Sequence, residues 1–137
     1  FTQGIENTVL QIGIGKDDEN TFDLPENHQD YGKNVAAYYF FLFPNMMFNF
    51  YPWGLSVNIV KPITPTKTKI QYLTYVWKKE LMKKGAGSNL DKVELEDEEI
   101  VEAVQKGVKS SAYDRGRYSA KREIGVHHFH LLLQKYY

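Results

Sequence analysis

The 137-residue sequence contains no cysteine. Within this segment, disulfides, thiolate zinc sites, cysteine nucleophiles and cysteine-ligated iron–sulfur clusters are therefore excluded. No apolar run approaches the roughly 18 to 20 residues that a membrane-spanning helix requires. No excess of one charge exists either, because 17 basic residues balance 17 acidic ones. We therefore expect no nucleic-acid partner and no membrane association. The absence of cysteine does not by itself fix the compartment, but it suits a reducing cytosol, and the expected location is cytoplasmic.

Aromatic residues, in contrast, are abundant. They make up 15% of the sequence, with ten tyrosines and eight phenylalanines, and many of them lie between positions 35 and 53. The chain is long enough for one domain with a single core. The composition therefore fits either an aromatic core or a ligand cavity lined by aromatic rings.

The first half of the chain shows the patterns of an antiparallel sheet. A short strand is predicted at Val9–Ile14, followed by an exposed loop, and Phe22–Asn34 is predicted to be a polar excursion on the surface. After the excursion, the segments that read as strands are Val35–Phe43, Met46–Tyr51, Leu55–Ile59 and Lys67–Trp77. Their short connections favour a meander with no helix between strands.

The second half changes to a helical period. One helix is predicted from about Leu90 to Gly107 and a second from about Glu123 to the C-terminus. Strands first and helices last is typical of an α+β fold, in which a curved antiparallel sheet wraps a long helix. Such a layout leaves room for a pocket between the sheet and the helices.

Asp97 is a carboxylate within the apolar stripe of the first predicted helix. At 100° per residue, the residues that share its sector are Val93, Ile100, Val101, Val104 and Val108. This placement predicts that Asp97 faces the core, where an ionised carboxylate must be paired, neutralised, capping a helix or bound to a metal. A helix cap, an ion pair with Arg115 or Arg117, and a metal or catalytic role are all compatible with the spacing.

Three other patterns carry weaker signals. In His127-His128-Phe129-His130, helix geometry rotates His128 about 100° away from His127, so the three imidazoles cannot meet at one ion and a solvated face is favoured. Gly13-x-Gly15 is too short for a phosphate-binding fingerprint. No serine stands in a nucleophile-elbow motif.

Longer motifs carry a family resemblance. They are Glu96-Asp97-x-x-Ile100-x-Glu102-x-x-Gln105-x-Gly107, Tyr113-x-x-Gly116-Arg117-Tyr118-Ser119, Glu123 and Phe129-His130. Together they resemble the C-terminal catalytic domain of the Rieske non-haem iron oxygenases, the ring-hydroxylating α subunits. The likeness is greatest to the choline monooxygenase and betaine-demethylating branch, which Phe43-Pro44-Asn45, Tyr51 and Pro62 also match. It covers about Val35–Gln134.

The resemblance implies a helix-grip fold and an oxygenase that uses reductant and O2 to hydroxylate or N-demethylate a small organic substrate. In the family, mononuclear Fe(II) is held by two histidines and one acid. The position of Asp97 in the motif resembles the position of that acid. Gln105 would be a packing residue or a hydrogen-bond partner behind the ligands. The expected substrate-pocket residues are Asn45, Asn49, Phe50 and Tyr51.

In this family the two iron histidines and the [2Fe-2S] Rieske cluster lie upstream of these strands. We therefore expect residues 1–137 to form one partial catalytic domain of a longer oxygenase, inactive alone, with the Rieske domain and the histidine segment outside this chain. The resemblance also implies a NAD(P)H-dependent reductase or ferredoxin as partner and a homotrimer. The alternative is a non-catalytic helix-grip domain that binds an apolar or cationic small ligand among its aromatic rings.

Overall fold

The computed structural model describes residues 1–16 and 20–136, with the exception of the side chain of Asp91. Six strands precede two helices. The strands are β1 (Thr2–Ile5), β2 (Thr8–Ile14), β3 (Val35–Leu42), β4 (Met46–Tyr51), β5 (Gly54–Thr64) and β6 (Lys67–Val76). The helices are α1 (Leu90–Val108) and α2 (Ile124–Gln134), and a short 3₁₀ turn lies at Lys79–Leu81.

All six strands form one antiparallel sheet in which sequence neighbours are also spatial neighbours. The predicted strands and both predicted helices are therefore confirmed, as is the α+β class. Strand β5 continues past Pro62 because the register shifts between Pro62 and Thr64, where a residue without an N–H group is tolerated. Strand β1 was not predicted, since its four residues show no apolar alternation and form a strand by pairing with β2.

The predicted surface excursion between β2 and β3 is partly buried. Phe22 and Leu24 pack against a buried cluster on β2 and β3. Asp30 is only 3% exposed, and its carboxylate accepts hydrogen bonds from Lys33 Nζ (2.7 Å) and Tyr38 Oη (3.0 Å). These two hydrogen bonds compensate Asp30 for the loss of hydration. The sequence pattern did not predict that Asp30 is buried.

Helix α2 packs closely on the sheet. Leu132 is 1% exposed, the Phe129 ring contacts Phe41 with centroids 5.3 Å apart, and His128 Nε2 lies 2.9 Å from the Glu6 carbonyl oxygen. The His128 ring also lies so close to Gly4 that a Cβ there would approach it within 2.5 Å. These contacts fix α2 above β1, β2 and β3.

Helix α1 is attached mainly through its first turns. Leu90 packs against the cluster that contains Tyr51 and Trp53. From Leu95 to Val108 every side chain is exposed, including the apolar stripe identified from the sequence. Among the described residues, no helix has the combination of length and apolar character needed to cross a membrane.

Candidate functional site

The candidate site lies on the face of the sheet that carries both helices, which we call the inner face. Phe41 on this face contacts Phe129 of α2, and the Tyr72 hydroxyl donates to Glu98 of α1 over 3.1 Å. One row of paired residues crosses β3 to β6 on this face and consists of Phe41, Met47, Asn58 and Tyr72. Alternation places Tyr39, Asn49 and Ser56 on the same face.

The centre of the inner face is polar as well as aromatic. Ser56 is fully buried, and its hydroxyl donates to Asn58 Oδ1 over 3.2 Å. The rings of Tyr39 and Tyr51 meet edge to face with centroids 6.0 Å apart. Burial, assisted by the neighbouring Tyr39, raises the pKa of the Tyr51 phenol well above its ordinary value. Tyr51 therefore remains a neutral hydroxyl group at physiological pH.

Trp53 connects this face to the start of α1. Its ring stacks on Tyr51 with centroids 5.1 Å apart, and its indole N–H donates to the carbonyl of Ala86 over 3.1 Å. At Gly87, which has a φ of +75°, a Cβ would come within 2.9 Å of the Tyr51 ring. Only glycine fits such a close approach at a positive φ. The loop before α1 is thereby fixed against the sheet.

Asp97 lies in the middle of α1 and is exposed, so the expectation that it faces a core within this chain is wrong. The physical reason is that the stripe to which it belongs is itself uncovered, with Ile100 and Val104 also exposed. Burial raises the pKa of Tyr72 to about 12, together with its hydrogen bond to Glu98 and the negative charge of Asp97. Glu98, the next residue in α1, accepts the hydrogen bond from Tyr72 on the edge strand β6, so Asp97 lies on the part of α1 nearest that edge.

Two of the alternatives for Asp97 do not fit its position. It is the eighth residue of α1 and cannot cap a helix that begins at Leu90. Arg115 pairs with its neighbour Asp114, and none of the ion pairs within the described residues includes Asp97. A metal or catalytic role is the alternative that stays open.

The structure separates the four expected pocket residues. Asn49 and Tyr51 belong to the inner face. Phe50 does not, because adjacent strand residues point to opposite faces, and its ring meets Phe40 edge to face on the other side of the sheet. Phe50 therefore lies on the face opposite the helices, and its role as a pocket residue stays a prediction. Asn45 lies at the end of β3 and β4, where its amide donates to the Val60 carbonyl over 2.7 Å.

Asn45 lines a cleft of about 480 Å³ between α2 and the sheet. Its walls are mainly apolar and include Val9, Phe41, Met47, Val126 and Phe129, with Arg122 at the rim. This volume is within the range of small-molecule sites. A smaller cleft of about 300 Å³ lies beside the first turn of α1 and is lined in part by Thr74, Ser88 and Lys92.

The described residues do not assemble a metal site by themselves. Among them, no three His, Cys, Asp or Glu side chains stand close enough to hold an ion. His28 Nδ1 accepts a hydrogen bond from the backbone N–H of Asp30. His127 and His130 contact the ring of Tyr118, whose hydroxyl also bonds to His130 Nδ1. A 2-His-1-carboxylate centre would therefore need imidazoles from outside the described residues.

Several inner-face residues were missed from the sequence, namely Tyr39, Ser56, Asn58 and Tyr72. Their positions could have been inferred by extending the alternation from Asn49 across the neighbouring strands. Gln105 is exposed on α1.

Residues 15–137 match the family model for the ring hydroxylating alpha subunit (catalytic domain). The chain belongs to this family. Its sequence is 34% identical to choline monooxygenase, chloroplastic, of Spinacia oleracea, over 98% of the chain and 30% of that protein. The resemblance to the catalytic domain of the Rieske oxygenase α subunits is thus confirmed, and the six-stranded sheet with two helices is consistent with a helix-grip fold.

Other relatives belong to the same branch. The chain is 40% identical to choline monooxygenase, chloroplastic, of Arabidopsis thaliana, over 71% of the chain and 24% of that protein. It is 32% identical to the carnitine monooxygenase oxygenase subunit of Escherichia coli K12, over 93% of the chain and 36% of that subunit. The chain spans about a third of the length of these relatives. No solved structure gives a significant match.

Proposed function

We propose that this chain is part of the catalytic domain of a Rieske-type terminal oxygenase that hydroxylates or N-demethylates a small quaternary ammonium compound with O2 and reductant. The observation that carries the proposal is the family match over residues 15–137, together with relatives named as choline and carnitine monooxygenases. The Rieske cluster, a reductase or ferredoxin partner and a homotrimer belong to this proposal for the whole protein.

The inner face supports a cationic substrate. Tyr39 and Tyr72 are half-buried there, and Tyr72 has a phenol pKa of about 12, so it presents a neutral ring. A quaternary ammonium over such a ring gains roughly 0.5 to 2 kcal/mol by cation–π attraction. The carboxylates of α1 that lie beside Tyr72 add attraction for a cation, whereas a neutral aromatic substrate would gain nothing from them.

Asp97 is our candidate for the carboxylate ligand of the mononuclear iron. A 2-His-1-carboxylate site leaves coordination positions open for dioxygen. The support for Asp97 is its motif, its position in mid-helix and the absence of a salt bridge to it within the described residues. Gln105, two turns further along α1, stays a candidate for a residue that packs behind the ligands.

The test is substrate-dependent O2 consumption by the full-length protein with its reductant. We expect a choline-like or carnitine-like compound to support O2 uptake with formation of an oxidised product. The matched control is the neutral carbon isostere 3,3-dimethylbutanol, which should bind roughly 10-fold more weakly because it lacks the cation–π term. Binding of the ammonium compound without any O2 consumption would instead favour the non-catalytic ligand-binding domain.

Two variants separate the ring from the hydroxyl in the same assay. Tyr72→Phe retains the aromatic face and should keep KM within a few-fold, whereas Tyr72→Leu removes it and should raise KM for the ammonium substrate by roughly 10-fold. Equal effects of the two substitutions would show that the ring does not contact the cation.

A further inference from the structure

The cleft under α2 has apolar walls. It encloses about 480 Å³ between α2 and the strands, and it is lined by Phe41 and Met47 from the sheet and by Val126 and Phe129 from the helix. A volume of this size accommodates a small molecule, and such walls favour an apolar one because binding removes its surface from water. The cleft is therefore suited to a hydrocarbon chain.

The polar backbone at the floor of the cleft already has its partners. The carbonyl of Val60 accepts a hydrogen bond from the side-chain amide of Asn45 over 2.7 Å, and the N–H of Val60 donates to the backbone carbonyl of Asn45 over 2.9 Å. Both residues line the cleft. An apolar chain that excludes water from this floor thus leaves neither backbone group of Val60 without a hydrogen bond.

The rim of the cleft is positively charged. Of the described residues that line it, Arg122 alone carries a formal charge at neutral pH. None of the ion pairs among the described residues includes Arg122, and the carboxylate of the neighbouring Glu123 accepts a hydrogen bond from the backbone N–H of Ser119. Arg122 also lies just before Ile124, where the positive end of the α2 dipole adds to its charge. The rim therefore favours an anionic group.

The packing of α2 fixes where Arg122 lies relative to the cleft. At Gly125, a Cβ would lie 3.0 Å from Cγ1 of Val9, so the first turn of α2 rests directly on β2. One turn later, the Phe129 ring meets Phe41 edge to face with centroids 5.3 Å apart. These contacts hold the backbone of Arg122 beside the mouth of the cleft, from which a planar guanidinium can bind both oxygens of a carboxylate.

The opposite edge of the inner face has the reverse charge. On β6, Tyr72 donates to Glu98 of α1, and residues 90–108 contain seven acidic and two basic side chains. Three strand spacings of about 4.8 Å each separate β3 from β6, so Phe41 and Tyr72 lie roughly 14 Å apart. A carboxylate is therefore repelled at the α1 edge and attracted at the α2 edge, whereas a quaternary ammonium has the reverse preference.

We propose that the cleft under α2 is a second ligand site, which binds a small monocarboxylate with an unbranched apolar chain. Arg122 binds the carboxylate at the rim, and the chain lies between the apolar walls. This ligand is opposite in charge to the ammonium substrate proposed above, and the inference does not depend on the oxygenase function. Its basis is an apolar cleft whose described lining contains one cation and no acidic residue.

Calorimetric titration of the full-length protein with octanoate tests the site. We expect hexanoate, which is shorter by two methylene groups, to bind roughly 10-fold more weakly, because each buried methylene adds to the affinity. Arg122→Gln should weaken octanoate binding by roughly 10-fold, whereas Arg122→Lys keeps the positive charge and should weaken it only a few-fold. The matched control is Arg115→Gln, which should change nothing because Arg115 pairs with Asp114 and does not line the cleft.

A second pair of variants tests the cleft without changing its charge. Val126 lines the cleft and is 46% exposed, so Val126→Trp places a large ring there and should abolish octanoate binding. Leu131 is a similarly exposed residue of α2 outside the cleft, and Leu131→Trp should leave binding unchanged. Thermal melting of each variant shows that a loss of binding is not a loss of folding.

The site is separate from the cation site if saturating choline leaves the dissociation constant of octanoate unchanged. The proposal is overturned if choline displaces octanoate, or if the wild-type protein does not bind octanoate. Equal affinities for hexanoate and octanoate, or equal effects of Arg122→Gln and Arg115→Gln, would also overturn it. Because binding is measured without O2 consumption, the absence of oxygenase activity would not change any of these results.

Discussion

The two helices of this domain lie on the same face of one sheet, yet they relate to it differently. Helix α2 is apolar on most sides, packs against β1 and β2, and buries Leu132 almost completely. Helix α1 is longer and strongly acidic, and within the described part of the chain no strand contacts it to a comparable extent. Its contacts with the rest of the domain include the packing of Leu90 and the hydrogen bond from Tyr72 to Glu98.

The difference shows that α2 contributes to the core and that most of α1 does not. Leu132 of α2 is buried inside the chain, although Ile124, Val126 and Leu131 are exposed, whereas the apolar stripe of α1 is exposed throughout. Asp97 lies within the exposed stripe of α1. A helix with an apolar stripe and an unpaired carboxylate in that stripe is suited to contacts that this segment does not itself provide.

The largest expected effect concerns the anchor before α1. Replacing Trp53 by Ala removes a ring that is 1% exposed, together with its stacking on Tyr51 and its hydrogen bond to Ala86. We expect the free energy of unfolding to fall by about 3 to 5 kcal/mol in urea titrations. Trp77→Ala is the matched control, because Trp77 is 57% exposed and should lose much less. Equal losses would show that Trp53 is no more important than a surface ring.

The comparison of the helices is tested directly by one truncation in each. Leu132→Ala in α2 leaves a cavity and should lower the free energy of unfolding of the 137-residue chain by about 2 to 5 kcal/mol. Val104→Ala in α1 should change it by no more than about 0.5 kcal/mol, since the side chain is already in solvent. A large effect at Val104 would mean that α1 is packed within this chain after all.

Two glycine substitutions are expected to have smaller effects on stability, and these effects have opposite signs. Gly87→Ala places a methyl group against the Tyr51 ring at a positive φ, and we expect a loss of about 1 to 3 kcal/mol in stability. Gly107→Ala lies in α1 with no atom within 4 Å of the new Cβ, so it should stabilise by up to about 1 kcal/mol. Thermal melting of both variants measures the difference. A stabilising Gly87→Ala would contradict the close approach.

The smallest expected effect is a dependence of folding stability on pH that arises from the buried Asp30. The hydrogen bond from Lys33 lowers the pKa of Asp30 below its ordinary value of 3.8, with further help from Tyr38 and the nearby His28. Because the folded-state pKa is the lower one, its contribution to stability is present above the unfolded-state pKa and is lost as the pH falls through the folded-state pKa. We expect Asp30→Asn to be less stable at pH 7 and to lose less on acidification. Parallel pH profiles for the two proteins would argue against this.

Much of the fold follows from sequence periodicity, and the exceptions have physical causes. The aromatic strands and both helices were identified because their apolar residues alternate or recur every 3.6 positions. Strand β1 and the burial of Asp30 were not, since β1 forms by pairing with β2 and Asp30 is held by hydrogen bonds, and neither produces an apolar period in the sequence. Alternation alone places Phe50 on the face opposite Asn49 and Tyr51, but which of the two faces carries the helices was known only from the structure.

The site was predictable only in part for a similar reason. Asn49 and Tyr51, predicted from the sequence as pocket residues, lie on the inner face, whereas the placement of Tyr39 and Tyr72 there required knowledge of which strands are neighbours. Asp97 was singled out because it interrupts the apolar stripe of its helix, but its burial was inferred on the assumption that every apolar stripe is covered within the chain. In α1 that assumption fails, because the stripe is exposed throughout.

The central claim is that Asp97 is a metal ligand. The most direct test is to measure the mononuclear iron content of the full-length protein. The iron of the Rieske cluster is quantified from the absorbance of the cluster and subtracted from the total iron. Asp97→Ala should lose nearly all mononuclear iron and keep the cluster, while Glu99→Ala on the same helix should keep both. Retention of mononuclear iron and turnover in Asp97→Ala would contradict the assignment.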